Sequence, residues 1–282
     1  KINQFLNVKL TYRPEIDGLR GIAVVAVILY HAQITLFDHN FFKGGFIGVD
    51  IFFVISGYLI TSIILVEKEA GTFNLVNFYE RRIRRIFPAL FLVVTVSIPF
   101  AWVWLLPGHL KEYAESIVAV SAFYSNIFFW KNSGYFHQAV ELKPFIHTWS
   151  LAVEEQYYIL FPIILITIFK FFKKYLLGIL FLGFFISLLM AEWGSKNYPA
   201  ATFYFLHTRM WELIAGSLLA YFEIFKNRRS KNSVLNLILP GVGIILIMHS
   251  IFFYNDKIFH PSLYTLSPII GVSFIIWYSK KD

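Results

Sequence analysis

Long apolar stretches recur along almost the whole chain, and this feature constrains its fold more than any other. About 20 mostly apolar residues cross the hydrocarbon core of a bilayer as an α-helix. The sequence contains eight such stretches, at about 18–37, 45–66, 86–106, 149–169, 175–193, 204–225, 235–253 and 262–278. It therefore predicts an all-α fold, a polytopic transmembrane helix bundle in which residues 1–282 form one membrane domain.

The composition agrees with a membrane protein and excludes several other classes. Hydrophobic residues make up 57% of the chain and charged residues 15%, whereas about 25% of a soluble domain is charged. The net charge of +8 comes from short basic clusters between apolar stretches, so it does not indicate binding of nucleic acid. Because the sequence has no cysteine, disulfides and thiolate chemistry are excluded.

The basic clusters also predict the orientation of the chain, because basic residues concentrate on the cytoplasmic side of multi-span proteins. If a ninth, weaker stretch at Tyr113–Trp130 does not cross, all the basic clusters lie on one side. We therefore predict a cytoplasmic N-terminus, eight spans, and a re-entrant or surface helix at 113–130 within an outer segment at about 107–148. No apolar core with a cleavage site precedes the first span, so we expect no signal peptide.

Ionisable side chains inside predicted spans are costly, which makes each of them a functional candidate. His31 lies in the first span, eleven residues or about three turns after Arg20, so the two side chains share a helix face. Histidine is the side chain best suited to accept and return protons near neutral pH. The alternative for His31 is a histidine that is hydrogen-bonded inside the bundle.

Four arginines come directly before the third predicted span: Arg81, Arg82, Arg84 and Arg85. We expect them at a helix N-terminus, where guanidinium groups and the helix dipole together bind phosphate. Arg20 on a neighbouring span would strengthen such a site. Topogenic charge or binding of anionic lipid explains the same cluster.

A third group of ionisable residues lies in the outer halves of the predicted spans, namely Asp50, Glu154, Glu155, His207, Arg209 and Glu212. Arg209 and Glu212 are three residues apart and can pair on one helix face. Adjacent helical residues such as Glu154 and Glu155 face about 100° apart, so one of them can orient His31. A buried ion pair is the alternative for each. We assign the remaining histidines, His260 among them, to loops or span ends as interfacial polar residues.

A basic inner mouth, a histidine near mid-membrane and an acidic outer vestibule suit an anionic cytosolic donor and a polar acceptor from outside. The same arrangement suits a proton-coupled transporter that moves an anionic or sugar substrate and catalyses no group transfer. No spacing typical of a metal site appears, and we expect no metal ion and no permanently bound cofactor.

Five motifs occur in a fixed order along the chain. They are YRPEIDGLRGIA at 12–23 with His31 following, GFIGVDIFFVISGYLI at 45–60, FYERRIRRIFP at 78–88, HTWSLAVEEQYY at 147–158 and RMWELIAG at 209–216. Together they resemble the motifs of the acyltransferase-3 family of bacterial membrane acyltransferases. The resemblance covers about 12–220.

The resemblance implies an O-acyltransferase of the bacterial inner membrane, whose co-substrate is cytosolic acetyl-CoA or another acyl-CoA. The implied acceptor is a hydroxyl of an envelope glycan or lipid-linked sugar, such as lipopolysaccharide O-antigen or peptidoglycan. The family pattern continues with a motif near Ser-Tyr-Ser-Leu-Tyr-Leu-Trp-His and about two further spans, which these 282 residues lack. We therefore expect the last spans, and any SGNH-like domain after them, to be missing from this chain.

In the family, an arginine and a histidine separated by ten residues form a functional pair, which Arg20 and His31 match. An R-x-x-R motif is also functional, and alignment on Pro88 favours Arg82 and Arg85 over the register Arg81 and Arg84.

These inferences combine into one hypothesis for the site. His31 acts as a general base that Glu154 or Glu155 orients, while Arg20, Arg82 and Arg85 hold the phosphates of acyl-CoA. The acceptor path is lined by Asp50, Arg209 and Glu212. Direct transfer and a covalent acyl-histidine intermediate both remain open.

Overall fold

The computed structural model describes residues 12–36, 39–132, 143–226 and 228–279, and it confirms the all-α fold class. The α-helices of the described residues are α1 (Pro14–His31), α2 (Gly48–Glu69), α3 (Leu75–Trp104), α4 (Pro107–Ser121), α5 (Ser125–Lys131), α6 (Thr148–Phe171), α7 (Leu176–Asn197), α8 (Pro199–Tyr204), α9 (Leu206–Ala220), α10 (Ser233–Phe253) and α11 (Leu266–Tyr278). Short 3₁₀ turns occupy Gly45–Ile47, Lys173–Tyr175 and Leu263–Thr265, and a π-helix at Tyr221–Phe225 follows α9. A two-residue antiparallel pair joins β1 (Thr35–Leu36) to β2 (His39–Asn40), with Thr35 opposite Asn40.

Five helical segments of the described residues are long and apolar enough to cross a membrane: Gly45–Glu69, Leu75–Trp104, Thr148–Phe171, Lys173–Asn197 and Ser233–Phe253. Each overlaps one of the predicted spans. The other three predicted spans overlap α1, α9 with its π-helix, and α11. The first of them, 18–37, runs past the end of α1, so His31 lies at the end of its helix rather than in the middle of a span. The total of eight spans and the orientation in the membrane stay predictions.

The weak ninth stretch forms two short helices rather than one. Helices α4 and α5 have 15 and 7 residues and are separated at Ala122–Tyr124, where Phe123 adopts a positive φ of 55°. Both are shorter than the roughly 20 residues that cross a bilayer. Residues 133–142 of the predicted outer segment lie outside the described residues.

The arginine cluster does not lie at a helix N-terminus, and that expectation is wrong. Helix α3 begins at Leu75, because the Asn74 side chain accepts a hydrogen bond from the backbone N–H of Asn77 at 3.1 Å and caps the helix there. Arg81 and Arg85 therefore lie about two to three turns inside the helix. The effect of the helix dipole falls off within the first turn, so it contributes little to this cluster.

The chain folds into two compact units. The first unit comprises 1–72, 168–203 and 207–282, and the second comprises 73–167 and 204–206. The first unit thus contains helices α1, α2, α7, α9, α10 and α11. The second unit contains α3, α4, α5 and most of α6.

In the first unit, α2 and α9 pack backbone against backbone at a pair of glycines. A Cβ atom at Gly57 would overlap the backbone of Leu213, and one at Gly216 would overlap the backbone of α2. Small residues permit this close approach of transmembrane helices. Beside the contact, the Thr61 hydroxyl donates a hydrogen bond to the Ser217 hydroxyl at 2.7 Å, which fixes the register of the two helices.

Candidate active site

The structure places Arg20 and His31 on α1, which runs without interruption between them. His31 is the last residue of α1, and its side chain is exposed. Its Nδ1 lies 2.8 Å from the carbonyl oxygen of Val27. Because a carbonyl oxygen only accepts hydrogen bonds, neutral His31 carries its proton on Nδ1 and the lone pair on Nε2. The ring is thus held in the tautomer that can accept a proton at Nε2.

This hydrogen bond also bears on which group orients the histidine. The sequence predicts that Glu154 or Glu155 does so, but in the first unit the backbone carbonyl of Val27 binds Nδ1. Both glutamates belong to the second unit. Their proposed action on His31 stays a prediction.

Arg20 pairs with an acidic neighbour on its own helix. Its Nη1 donates to Asp17 Oδ1 at 3.0 Å, and the side chains are 32% and 47% exposed. An exposed pair of this kind contributes about 0–1 kcal/mol. Exchanging Asp17 for a phosphate group would therefore cost little.

In the second unit, α3 directs its arginines to two different faces. The guanidinium of half-buried Arg82 lies 4.7 Å from the centre of the Tyr158 ring on α6. Arg84 is exposed and pairs with Glu80 one turn earlier, at 2.7 Å. Arg85 follows Arg82 by three residues, so the two share a helix face. The Arg82 and Arg85 register is thus the one that meets α6, and its role in binding phosphate stays a prediction.

The two neighbouring glutamates on α6 differ in their surroundings. The Tyr158 hydroxyl donates to Glu154 Oε1 at 2.6 Å. Glu155 is 6% exposed, and its Oε1 is buried without a hydrogen-bond partner among the described residues. The charges of Arg82 and Arg85 both act on it. A buried carboxylate oxygen left without a hydrogen bond is costly, so this position favours a water molecule or a ligand group.

The three residues predicted to line the acceptor path lie together in the first unit. Asp50, Arg209 and Glu212 are fully buried. Nη1 of Arg209 donates to Asp50 Oδ1 at 2.7 Å and to Glu212 Oε1 at 2.9 Å. The predicted pairing of Arg209 with Glu212 on one helix face is therefore confirmed. Because the three side chains are closed off from solvent, their contact with an acceptor stays a prediction.

A fourth member of this cluster, His260, was missed by the sequence analysis. Its side chain is 8% exposed rather than interfacial, and its Nε2 donates to Asp50 Oδ2 at 2.9 Å. Burial lowers the pKa of His260, against the opposing effect of the Asp50 charge. The two residues are 210 positions apart, so no local spacing could have linked them. The cluster joins the first turns of α2 and α9 to the α10–α11 connection.

The described residues contain no group of three or more histidine, aspartate or glutamate side chains placed to hold a metal ion. In the first unit, α1 presents an exposed histidine with a defined tautomer. In the second unit, Arg82 is stacked on an aromatic ring and lies near the carboxylates of Glu154 and Glu155. An imidazole can exchange a proton and a guanidinium can bind an anion, so each unit contains one group suited to acyl transfer.

A family model described as an acyltransferase domain matches residues 13–281. The match covers nearly the whole chain, so the protein belongs to this acyltransferase family, and the resemblance of its five motifs is confirmed. No solved structure matches the chain.

Three known proteins are similar to the chain. It is 39% identical over 241 residues to the peptidoglycan O-acetyltransferase OatA of Listeria monocytogenes, covering 80% of this chain and 37% of that protein. It is 35% identical over 259 residues to a Staphylococcus aureus protein provisionally named an O-acetyltransferase, covering 88% and 42%. An uncharacterised Haemophilus influenzae protein is 36% identical over 242 residues, covering 83% and 99%. The chain thus spans less than half the length of the listerial and staphylococcal relatives.

Proposed function

We propose that the protein is an integral membrane O-acyltransferase. It transfers an acetyl or other short acyl group from cytosolic acyl-CoA to a hydroxyl of an envelope polysaccharide, such as peptidoglycan, O-antigen or a lipid-linked sugar. Family membership and the names of two relatives support the reaction class. The observation that carries the mechanism is the hydrogen bond from His31 Nδ1 to the Val27 carbonyl, because it leaves Nε2 as the proton acceptor.

In the proposed reaction, Nε2 of His31 takes the proton of the acceptor hydroxyl while its oxygen attacks the thioester carbonyl. The new C–O bond forms, the C–S bond breaks, and the leaving thiolate of CoA takes the proton back from the imidazolium. General base catalysis of this kind contributes about 10²–10⁴-fold. In a stepwise reaction through an acyl-histidine, the same nitrogen would act as the nucleophile.

The arginines supply the proposed binding of the donor. Arg82 and Arg85 bind phosphate groups of acyl-CoA, since a guanidinium can grip phosphate with two hydrogen bonds. The Tyr158 ring supports the guanidinium of Arg82. Arg20 adds a half-exposed cation.

Release of free thiol from acetyl-CoA tests the proposal. The protein is reconstituted in proteoliposomes, with and without envelope polysaccharide, as wild type, His31→Ala and His249→Ala. His249 is an exposed histidine on α10 that stacks on Phe253 and serves as the matched control. We expect acceptor-dependent release by the wild type and the control, and a loss of at least about 100-fold in His31→Ala.

Two results would contradict the proposal. Substantial turnover by His31→Ala would remove the histidine from the chemistry. Movement of an anionic or sugar substrate across the membrane, without thiol release, would favour the transporter.

A further inference from the structure

Helix α1 carries both Arg20 and His31, yet only a narrow stripe of it is buried. The buried residues of α1 are Ile16, Leu19, Ala23 and Ala26. Apolar contacts discriminate poorly between helix positions in a bilayer, because lipid tails are as apolar as the side chains. The stripe alone therefore leaves the rotation of α1 weakly specified.

Glycines set the distance between α1 and its neighbours. A Cβ atom at Gly45 would overlap the carbonyl of Ala26, and one at Gly48 would overlap the carbonyl of Ala23. Such smooth contacts permit close approach, but they offer no side chain that would block rotation or sliding. Directional contacts must supply that restraint.

Arg13, the N-cap of α1, makes such contacts in several directions. Its Nη1 donates to Glu223 Oε2 at 2.8 Å and also to the Tyr58 hydroxyl. Its Nη2 donates to the carbonyl of Ile276 at 2.5 Å, and its Nε donates to Glu15 Oε1 at 2.6 Å. The side chain is 9% exposed. One buried guanidinium thus ties α1 to α2, to the π-helix and to α11.

A second arginine completes the charge balance. Arg229 lies 3.7 Å from Glu15 and 3.8 Å from Glu223, and it donates to the carbonyl of Ser279. The Tyr58 hydroxyl donates to Glu223 Oε2 at 2.9 Å. Two guanidiniums therefore face two carboxylates. The group of Arg13, Glu15, Tyr58, Glu223 and Arg229 is called the Arg13 clamp below.

Glu223 reaches the Arg13 clamp from an unusual backbone. It lies in the π-helix at Tyr221–Phe225. Turns of this type are rare and occur frequently at functional sites. Removing one partner from a buried charge network leaves the other charge uncompensated. The Arg13 clamp is thus a specific, charge-balanced anchor for the start of α1.

We propose that the Arg13 clamp sets the rotation and height of α1, and thereby positions Arg20 and His31 for acyl transfer. Arg13 and Glu223 are then positioning residues for a reaction they do not touch. Arg20 and His31 follow Arg13 by seven and eighteen residues, or about two and five helical turns. Because α1 is a continuous helix, a rotation at Arg13 also rotates Arg20 and His31. This inference rests on the proposed function.

Distance measurements and kinetics test it together. The chain has no cysteine, so pairs of cysteines can carry spin labels without background. A label at Val25 on α1 is paired with one at Phe253 on α10, and a reference pair joins Leu189 on α7 to Phe253; all three positions are exposed. Double electron–electron resonance then reports the position of α1 against the rest of the first unit.

The variants are Glu223→Gln and Arg13→Lys, with Tyr58→Phe as the mildest change should either fail to fold. We expect the Val25 to Phe253 distance distribution to shift or broaden while the distance distribution of the reference pair is unchanged.

The kcat should fall about 10–100-fold, since a displacement of about 1 Å has this effect. The KM for acetyl-CoA should change less than the kcat, because Arg20 moves with α1 whereas the other proposed phosphate ligands, Arg82 and Arg85, are untouched. Glu69→Gln, which removes a half-exposed pair with Lys173 at 3.5 Å, is the matched control.

Unchanged distances in these variants overturn the proposal, and so does a shift of α1 that leaves kcat at the wild-type value. Failure of the proposed function would look different, because the wild type would then release no thiol or His31→Ala would retain its turnover. In that case the distances between the spin labels still show whether the Arg13 clamp sets the position of α1.

Discussion

At the scale of single residues, the surroundings of neighbouring arginines separate their expected roles. Arg82 and Arg84 are two positions apart on α3. The first is half-buried against the Tyr158 ring, and the second is exposed and paired with Glu80. Only the fixed fork of arginine combines stacking on a ring with two hydrogen bonds to one phosphate, so lysine is not an equivalent replacement at such a position.

We expect Arg82→Lys to raise the KM for acetyl-CoA about tenfold or more. The substitution keeps the charge but removes the forked hydrogen bonds, and a hydrogen bond to a charged group contributes about 1.5–3 kcal/mol. Arg84→Lys is the matched control on the same helix and should leave the KM near its wild-type value. Steady-state kinetics with varied acetyl-CoA provide the measurement. Equal effects of both substitutions would show that the register of the arginines is irrelevant to donor binding.

Residues differ in how far the sequence could predict their place. Arg209 and Glu212 are three apart on one helix, so their pairing follows from helical spacing alone. Asp50 and His260 meet across 210 positions, and only the packing of the helices brings them together. The sequence therefore could not predict that the ring of His260 is buried. It also could not predict the hydrogen bond of His31 to its own helix, because no residue type indicates such a bond.

At the scale of elements, glycine contacts determine which helices pack most closely. The α2–α9 contact at Gly57 and Gly216 leaves no room for a Cβ atom. The apolar stretches of the sequence predicted both helices but not that they pack against each other. The spacing of apolar residues indicates which face of a helix is buried, and it does not indicate which helix packs on that face. The early start of α3 was missed for a related reason, since apolarity marks the membrane core rather than the ends of a helix.

The α2–α9 contact predicts a large effect for Gly216→Ala. The added Cβ would overlap the Val54 carbonyl, so the helices must separate, at a cost of about 1–3 kcal/mol or more. Gly241→Ala on α10 is the control, because its Cβ meets no atom within 4 Å and alanine favours the helix by about 1 kcal/mol. Thermal unfolding in detergent should show a lower Tm for the first variant and an equal or higher one for the second. A Tm of Gly216→Ala at the wild-type value would mean that the contact is looser than described.

At the scale of the whole molecule, two buried charge networks lie among the described residues of the first unit. One is the Arg13 clamp at the start of α1, and the other is the Asp50 cluster with His260. Both connect segments that are far apart in sequence. Breaking a buried network is strongly destabilising, because a charge is left without compensation. The stability of the first unit should therefore respond to any change in the protonation of these groups.

His260 makes this response pH-dependent. Its pKa in the folded protein is lowered by burial, whereas a histidine in the unfolded chain titrates near pH 6.5. The neutral ring therefore stabilises the fold fully above about pH 6.5, and this contribution is lost as the pH falls below that value towards the folded pKa. We expect the Tm of the wild type to fall more steeply between about pH 7 and pH 5 than that of His260→Gln, whose amide can still donate to Asp50. Parallel slopes would exclude His260 as the source.

The hydrogen bond between His31 and Val27 lies within a single turn of one helix. The imidazole and the carbonyl that selects its tautomer therefore move together in any displacement of α1. In enzymes whose histidine is oriented by a side chain on another segment, such a movement would separate the two. The imidazole of His31 therefore keeps its proton on Nδ1 and its lone pair on Nε2 when α1 moves, so a displacement of the helix moves the proposed base without changing its tautomer.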